Sequence, residues 1–121
     1  MLFHKSLGLP ASIQLPRGRK KMVLTNHAKE AARDDRYGNI APLLALYSSF
    51  DPATADLVEI ETSDRIHVEK AVYRVPLAPN SPYDVVLAAV PYGDKYVIKT
   101  LWINERSDRH RTLNTRKYSK P

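Results

Sequence analysis

At 121 residues the chain is long enough for one two-layer domain around a single core and too short for two. The absence of cysteine excludes disulfide frameworks and thiolate metal sites and fits a reducing compartment. Its net charge of +6 is unevenly spread: residues 17–36 hold seven basic and three acidic side chains, 37–64 hold five acidic and no basic ones, and 105–121 hold six basic against two acidic. Two basic segments around an acidic middle suit a polyanion, whose phosphates supply affinity and steering.

Taken in order, residues 1–21 read as a basic extended arm with two prolines, two glycines and the cluster Arg17-Gly-Arg-Lys-Lys21. Residues 22–121 read as one α+β domain with a basic tail. The arm lacks the apolar core of a secretion signal, and the longest apolar run, 85–90, is too short to cross a membrane, so an intracellular chain with no membrane partner is expected. Met22 to Leu24 reads as a short strand. A helix follows over 25–38: Thr25 or Asn26 caps it, Ala28, Ala31 and Ala32 form a small apolar stripe, and Gly38 ends it. A second helix is expected from Pro42 toward Phe50, broken at Asp51-Pro52.

The remainder alternates as strands over 57–61, 66–75, 84–90 and 96–104, with turn-forming separators short enough for an antiparallel meander. The last strand carries apolar side chains on both faces, Tyr96, Ile98 and Trp102 on one and Val97, Leu101 and Ile103 on the other, as a central strand covered on both sides would. The fold expected is two N-terminal helices packed on a curved antiparallel sheet of about four to five strands.

No phosphate-binding glycine loop, metal-spaced histidine pair or nucleophile elbow is present, so neither cofactor nor metal is expected. His4 lies in the arm and His67 begins a strand, whereas His27 and His110 sit in the basic segments. Metal-free RNA cleavage needs a group to take the 2′-hydroxyl proton, a group to protonate the leaving 5′-oxygen, and cations at the phosphorane. His27 and His110 fit the first two roles, with Lys99, Arg106, Arg109 or Arg111 as cations. Lys99 interrupts an apolar face and either snorkels to the rim or lines a cleft. If its strand paired with that of Lys70 and Arg74, three cations would share one sheet face. Arg33, Arg36, Arg74, Arg106, Arg109 and Arg111, with Arg116, Lys117 and Tyr118 in the tail, complete the expected RNA contacts. Tyr92 and Tyr118 are stacking candidates, Trp102 reads as core, and Asp34 and Asp35 read as local ion-pair partners of Arg33 and Arg36.

The segment Leu24-Thr-Asn-His-Ala-Lys-Glu-Ala-Ala-Arg-Asp-Asp-Arg36 resembles the strand, His-Ala and arginine-bearing helix that open the RelE/ParE and BrnT-like toxins, and the corresponding helix of the RegB endoribonuclease of T-even phages. The ending, Val97-Ile-Lys-Thr-Leu-Trp-Ile-Asn104 with Asp108-Arg-His-Arg-Thr-Leu113 and Tyr118, is similar to the close of small phage-encoded proteins. The resemblance implies a RelE-like, metal-independent endoribonuclease of the bacterial cytoplasm, acting on messenger RNA with or without the ribosome, with an antitoxin or host protein as partner. It aligns His27 with the histidine of the His-Ala opening and His110 with the C-terminal one. The rival expectation is a non-enzymatic basic phage protein that grips nucleic acid or a host protein and blocks it.

Overall fold

The computed structural model describes residues 2–4, 8–44, 48–64 and 66–107. These residues form a seven-stranded mixed sheet: β1 (Leu2–His4), β2 (Lys20–Leu24), β3 (Ser49–Phe50), β4 (Asp56–Thr62), β5 (Val68–Pro76), β6 (Tyr83–Tyr92) and β7 (Lys95–Glu105), in the order β1-β4-β5-β6-β7-β2-β3. Strands β4 to β7 are the expected antiparallel meander, each within two or three residues of its sequence-derived range.

The expected fold class is overturned in its helices and its sheet. Among the described residues one helix exceeds a single turn, α1 (Asn26–Arg33); α2 (Ala41–Leu44) is four residues long. The chain expected to continue the second helix instead places Ser49–Phe50 beside Lys20–Lys21 as an edge strand. Phe50 is buried there between Tyr73 and Tyr96, with ring centroids at 5.1 and 5.7 Å. Aromatic packing against the sheet outweighs a few residues of helix propensity. Nor is the sheet purely antiparallel, because β2 runs parallel to β7 in the register Lys21↔Lys95 to Leu24↔Ile98. A pairing between segments so distant in sequence leaves no mark on local alternation. The lead-in before residue 22 contributes to the sheet as well: β1 pairs with β4, Gln14 bridges His67, and Lys20 and Lys21 belong to β2.

Helix α1 stands where a further strand on β2's side of β7 would lie. Thr25 caps it, its hydroxyl accepting from the Ala28 N–H at 3.1 Å and donating to the Lys99 carbonyl at 3.2 Å, while its own N–H donates to Ile98 O at 3.1 Å. Ala28 and Ala32, both fully buried, let the helix lie close against the core. The helix stops at Arg33, before Gly38, because Asp35 turns inward: one carboxylate oxygen accepts from the buried Ile103 N–H and the other from the Tyr37 N–H, each at 3.1 Å. Asp35 thus caps a backbone donor of β7, a different task from the ion pairing expected of it.

Strand β7 departs from simple alternation at one point. Ala88 opposes Thr100 and Ala89 opposes Ile98, so Lys99 is the extra residue of a β-bulge. The bulge resets the faces: Ile98 and Leu101 enter the same core cluster as Tyr96 and Ile103, while Trp102 packs across the sheet with Val58, Val72, Val86 and Ala88. The expected face sharing of Ile98 with Trp102 is therefore wrong, though β7 does carry buried apolar side chains on both faces. No helix among the described residues is long and apolar enough to cross a membrane.

Candidate functional site

Met22 and Leu24 pack against the larger core cluster, so alternation turns Lys21 and Val23 to the opposite face of the sheet. Cross-strand partners share a face, and the ladders place Lys21 and Tyr92 on either side of Lys95, and Val23 and Val90 on either side of Val97. The result is two rows across β6, β7 and β2: Tyr92-Lys95-Lys21 at the sheet end, and Val90-Val97-Val23 behind it. Tyr92 is 66 % exposed and Val23 37 %, and the Lys95 ammonium stands 5.8 Å from the Tyr92 ring centroid. Adjacent strands lie about 4.8 Å apart, so the three-residue row spans roughly 10 Å. An exposed ring with one ammonium group beside it and a second further along the row, backed by an apolar row, can stack a base while the row holds phosphates on one side of it.

Three carboxylates are occupied elsewhere on the molecule: Asp84 by Arg74 and Arg106, Glu61 by Lys70 at 3.2 Å, and Asp64 by His67. Among the described residues no carboxylate lies within ion-pair distance of Lys21, Lys95 or Lys99, and Asp94, in the turn between β6 and β7, has no cation that close. Cations without local counter-charges are the ones that release counterions from a polyanion.

The residues expected from sequence are dispersed differently. His27 is exposed in the first turn of α1, and Lys99 is exposed at the bulge to which Thr25 ties that helix start. His110, Arg109, Arg111, Arg116, Lys117 and Tyr118 lie outside the described residues, and with them the expected pairing of His27 with His110. Arg33 is exposed beside Lys29 and Glu30 in a groove of about 440 Å³ along α1. Arg36, also exposed, lies 4.9 Å from the Tyr37 ring centroid. Arg74 and Arg106 both grip the buried Asp84, Arg74 through Nε at 3.1 Å and a terminal nitrogen at 2.9 Å, Arg106 through Nε at 3.1 Å. Arg74 also donates to the carbonyls of Glu105 and Arg106, fastening the end of β7. Strands β5 and β7 do not pair, since β6 separates them, so the expected union of Lys70, Arg74 and Lys99 does not form. Trp102 is buried, as expected.

An apolar cleft of about 180 Å³ opens on the other face above Val75, Val85, Leu87, Ile98 and Leu101. Its polar rim is internally engaged: Arg19 donates to Ser49, Asp51 caps the short 3-10 turn Pro52–Thr54, and the Thr54 hydroxyl donates to the Asp51 carbonyl. Among the described residues no three His, Cys, Asp or Glu side chains converge to hold a metal ion.

What sequence reasoning missed is the row itself, although Tyr92 was singled out. Lys21 and Lys95 sit in separate charge segments, and only the parallel register of β2 on β7 joins them. Comparison with known proteins finds no matching family model, no similar curated protein and no similar solved structure.

Proposed function

We propose that this chain is an RNA-binding protein that holds RNA on the open face of β6, β7 and β2. The observation that carries the reading is the in-register row Tyr92-Lys95-Lys21, an exposed aromatic followed across the sheet by two ammonium groups that have no carboxylate within ion-pair distance among the described residues. The ring offers its face to an unpaired base, Lys95 and Lys21 meet successive phosphates leading away from it across the sheet, and Val23 and Val97 contact sugar edges. A cytoplasmic setting, where RNA is the abundant polyanion, goes with this reading.

The test is fluorescence anisotropy of a short labelled RNA across a salt series. Replacing Lys21 and Lys95 with Gln removes two phosphate contacts and is expected to flatten the slope of log K against log salt by about 1.4, at about 0.7 per contact for single strands. Tyr92→Ala is expected to weaken binding by about 1–3 kcal/mol with the slope unchanged. Binding by all variants equal to that of the unaltered chain removes the platform. An absence of RNA binding, with salt-sensitive capture of an acidic protein, favours the host-protein alternative.

A further inference from the structure

We infer that Asp64 and His67 form an acid–base dyad that cleaves RNA held on the neighbouring Tyr92 platform; the substrate class rests on the RNA-binding reading above. The loop between β4 and β5 builds the dyad locally. One Asp64 oxygen accepts from the Ile66 and His67 backbone N–H groups, both at 2.7 Å, and the other meets His67 Nδ1 at 2.9 Å. A carboxylate only accepts, so Nδ1 carries a proton and donates, and in the neutral ring the lone pair is then on Nε2. Nε2 has no partner among the described residues, and the His67 side chain is 70 % exposed. These three bonds hold the Asp64 carboxyl well below the usual carboxylate range, the imidazole contact contributing most. An imidazole fixed by an ionised carboxylate, with its free nitrogen in solvent, has the arrangement of a general base.

Position links the dyad to the platform. His67 immediately precedes β5, the strand beside β6, and in an antiparallel pair β5 begins at the end where β6 finishes, at Tyr92. The order His67, Tyr92, Lys95, Lys21 thus follows the strand order β5-β6-β7-β2 along one sheet end. Gln14 bridges His67, and Ile66 beside it, 42 % exposed, offers apolar surface to a base or sugar. His27, by contrast, has no carboxylate within ion-pair distance among the described residues.

In the step this geometry allows, His67 Nε2 takes the 2′-hydroxyl proton as the 2′-oxygen bonds to phosphorus. The bond from phosphorus to the 5′-oxygen breaks, and the proton is returned to that oxygen. The products are a 2′,3′-cyclic phosphate and a 5′-hydroxyl, and no metal, redox partner or net water is required. Asp64 is a positioning residue in this scheme.

The experiment incubates the full chain with a short labelled RNA in chelator, in parallel with anisotropy on the same RNA. Cleavage to a cyclic phosphate is expected. His67→Ala is expected to lower the rate by about 10²-fold to 10⁴-fold, the usual range for a general acid or base, with partial recovery on adding free imidazole. Asp64→Asn is expected to lower kcat while leaving KM unchanged, since the Asp64 side chain touches the imidazole and not the RNA. Binding without cleavage overturns the dyad and leaves the RNA-binding reading standing; absence of binding removes both. Cleavage by His67→Ala at the unaltered rate also overturns the dyad.

Discussion

Replacing Asp84 with Ala separates the structural arginines from the binding lysines. Asp84 is buried, its side chain 7 % exposed, and it receives both Arg74, 11 % exposed, and Arg106, 39 % exposed. Removing it takes away the buried carboxylate that Arg74 and Arg106 share, breaking a largely desolvated pair, a loss of about 3–5 kcal/mol. For a chain of this size each kcal/mol shifts Tm by about 4 °C, so the midpoint is expected to fall by roughly 12–20 °C. The half-exposed Arg106 contributes little of this, because solvent screens its share. Thermal unfolding followed by circular dichroism reads the shift, and the double variant Asp84→Leu with Arg74→Met is expected to recover most of it, since an apolar pair of similar volume replaces both charges of the buried pair. A drop below about 1 kcal/mol for Asp84→Ala, the level of a surface ion pair, would refute the reasoning. So would failure of the double variant to recover. Salt-dependent RNA binding is expected to remain, because Lys21 and Lys95 act from different strands.

Thr25→Ala deletes the cap of α1 and a tie to the bulge, and is expected to cost about 1 kcal/mol in denaturant unfolding; Thr25→Ser, keeping the hydroxyl, is expected to recover most of it. The lowered Asp64 carboxyl stabilises its turn above the ordinary aspartate value of about 3.9, and that contribution is lost only as pH falls through the folded value. The Ile66 and His67 amide resonances are therefore expected to hold steady through pH 4 and move in stronger acid; a midpoint near 4 contradicts this. Burial, reinforced by Tyr96, pushes the Tyr73 phenol well above the usual range, and burial with nearby Asp51 raises Tyr96. Their contribution is present below the unfolded value of about 10 and is lost as pH rises from there toward the folded values. Ultraviolet titration is expected to show these two tyrosines ionising above the ordinary tyrosine range and together with alkaline unfolding.

Sequence by itself determined the meander and the start of α1. Strands β4 to β7 follow from runs of β-branched and aromatic residues separated by turn formers, and Thr25 marks a helix start, because both signals act within a few residues. Tertiary structure decided the rest. Phe50 became strand because Tyr73 and Tyr96 are there to receive it, Ile98 and Leu101 came to share a face because Lys99 bulges, and Asp35 ended the helix early by reaching the Ile103 amide. The candidate site belongs to the same class: Lys21, Tyr92 and Lys95 form a row only because β2 lies parallel beside β7. Local pattern sets which residues extend or coil; which distant strand supplies the next side chain is a question of packing, and packing is settled only when the whole sheet assembles.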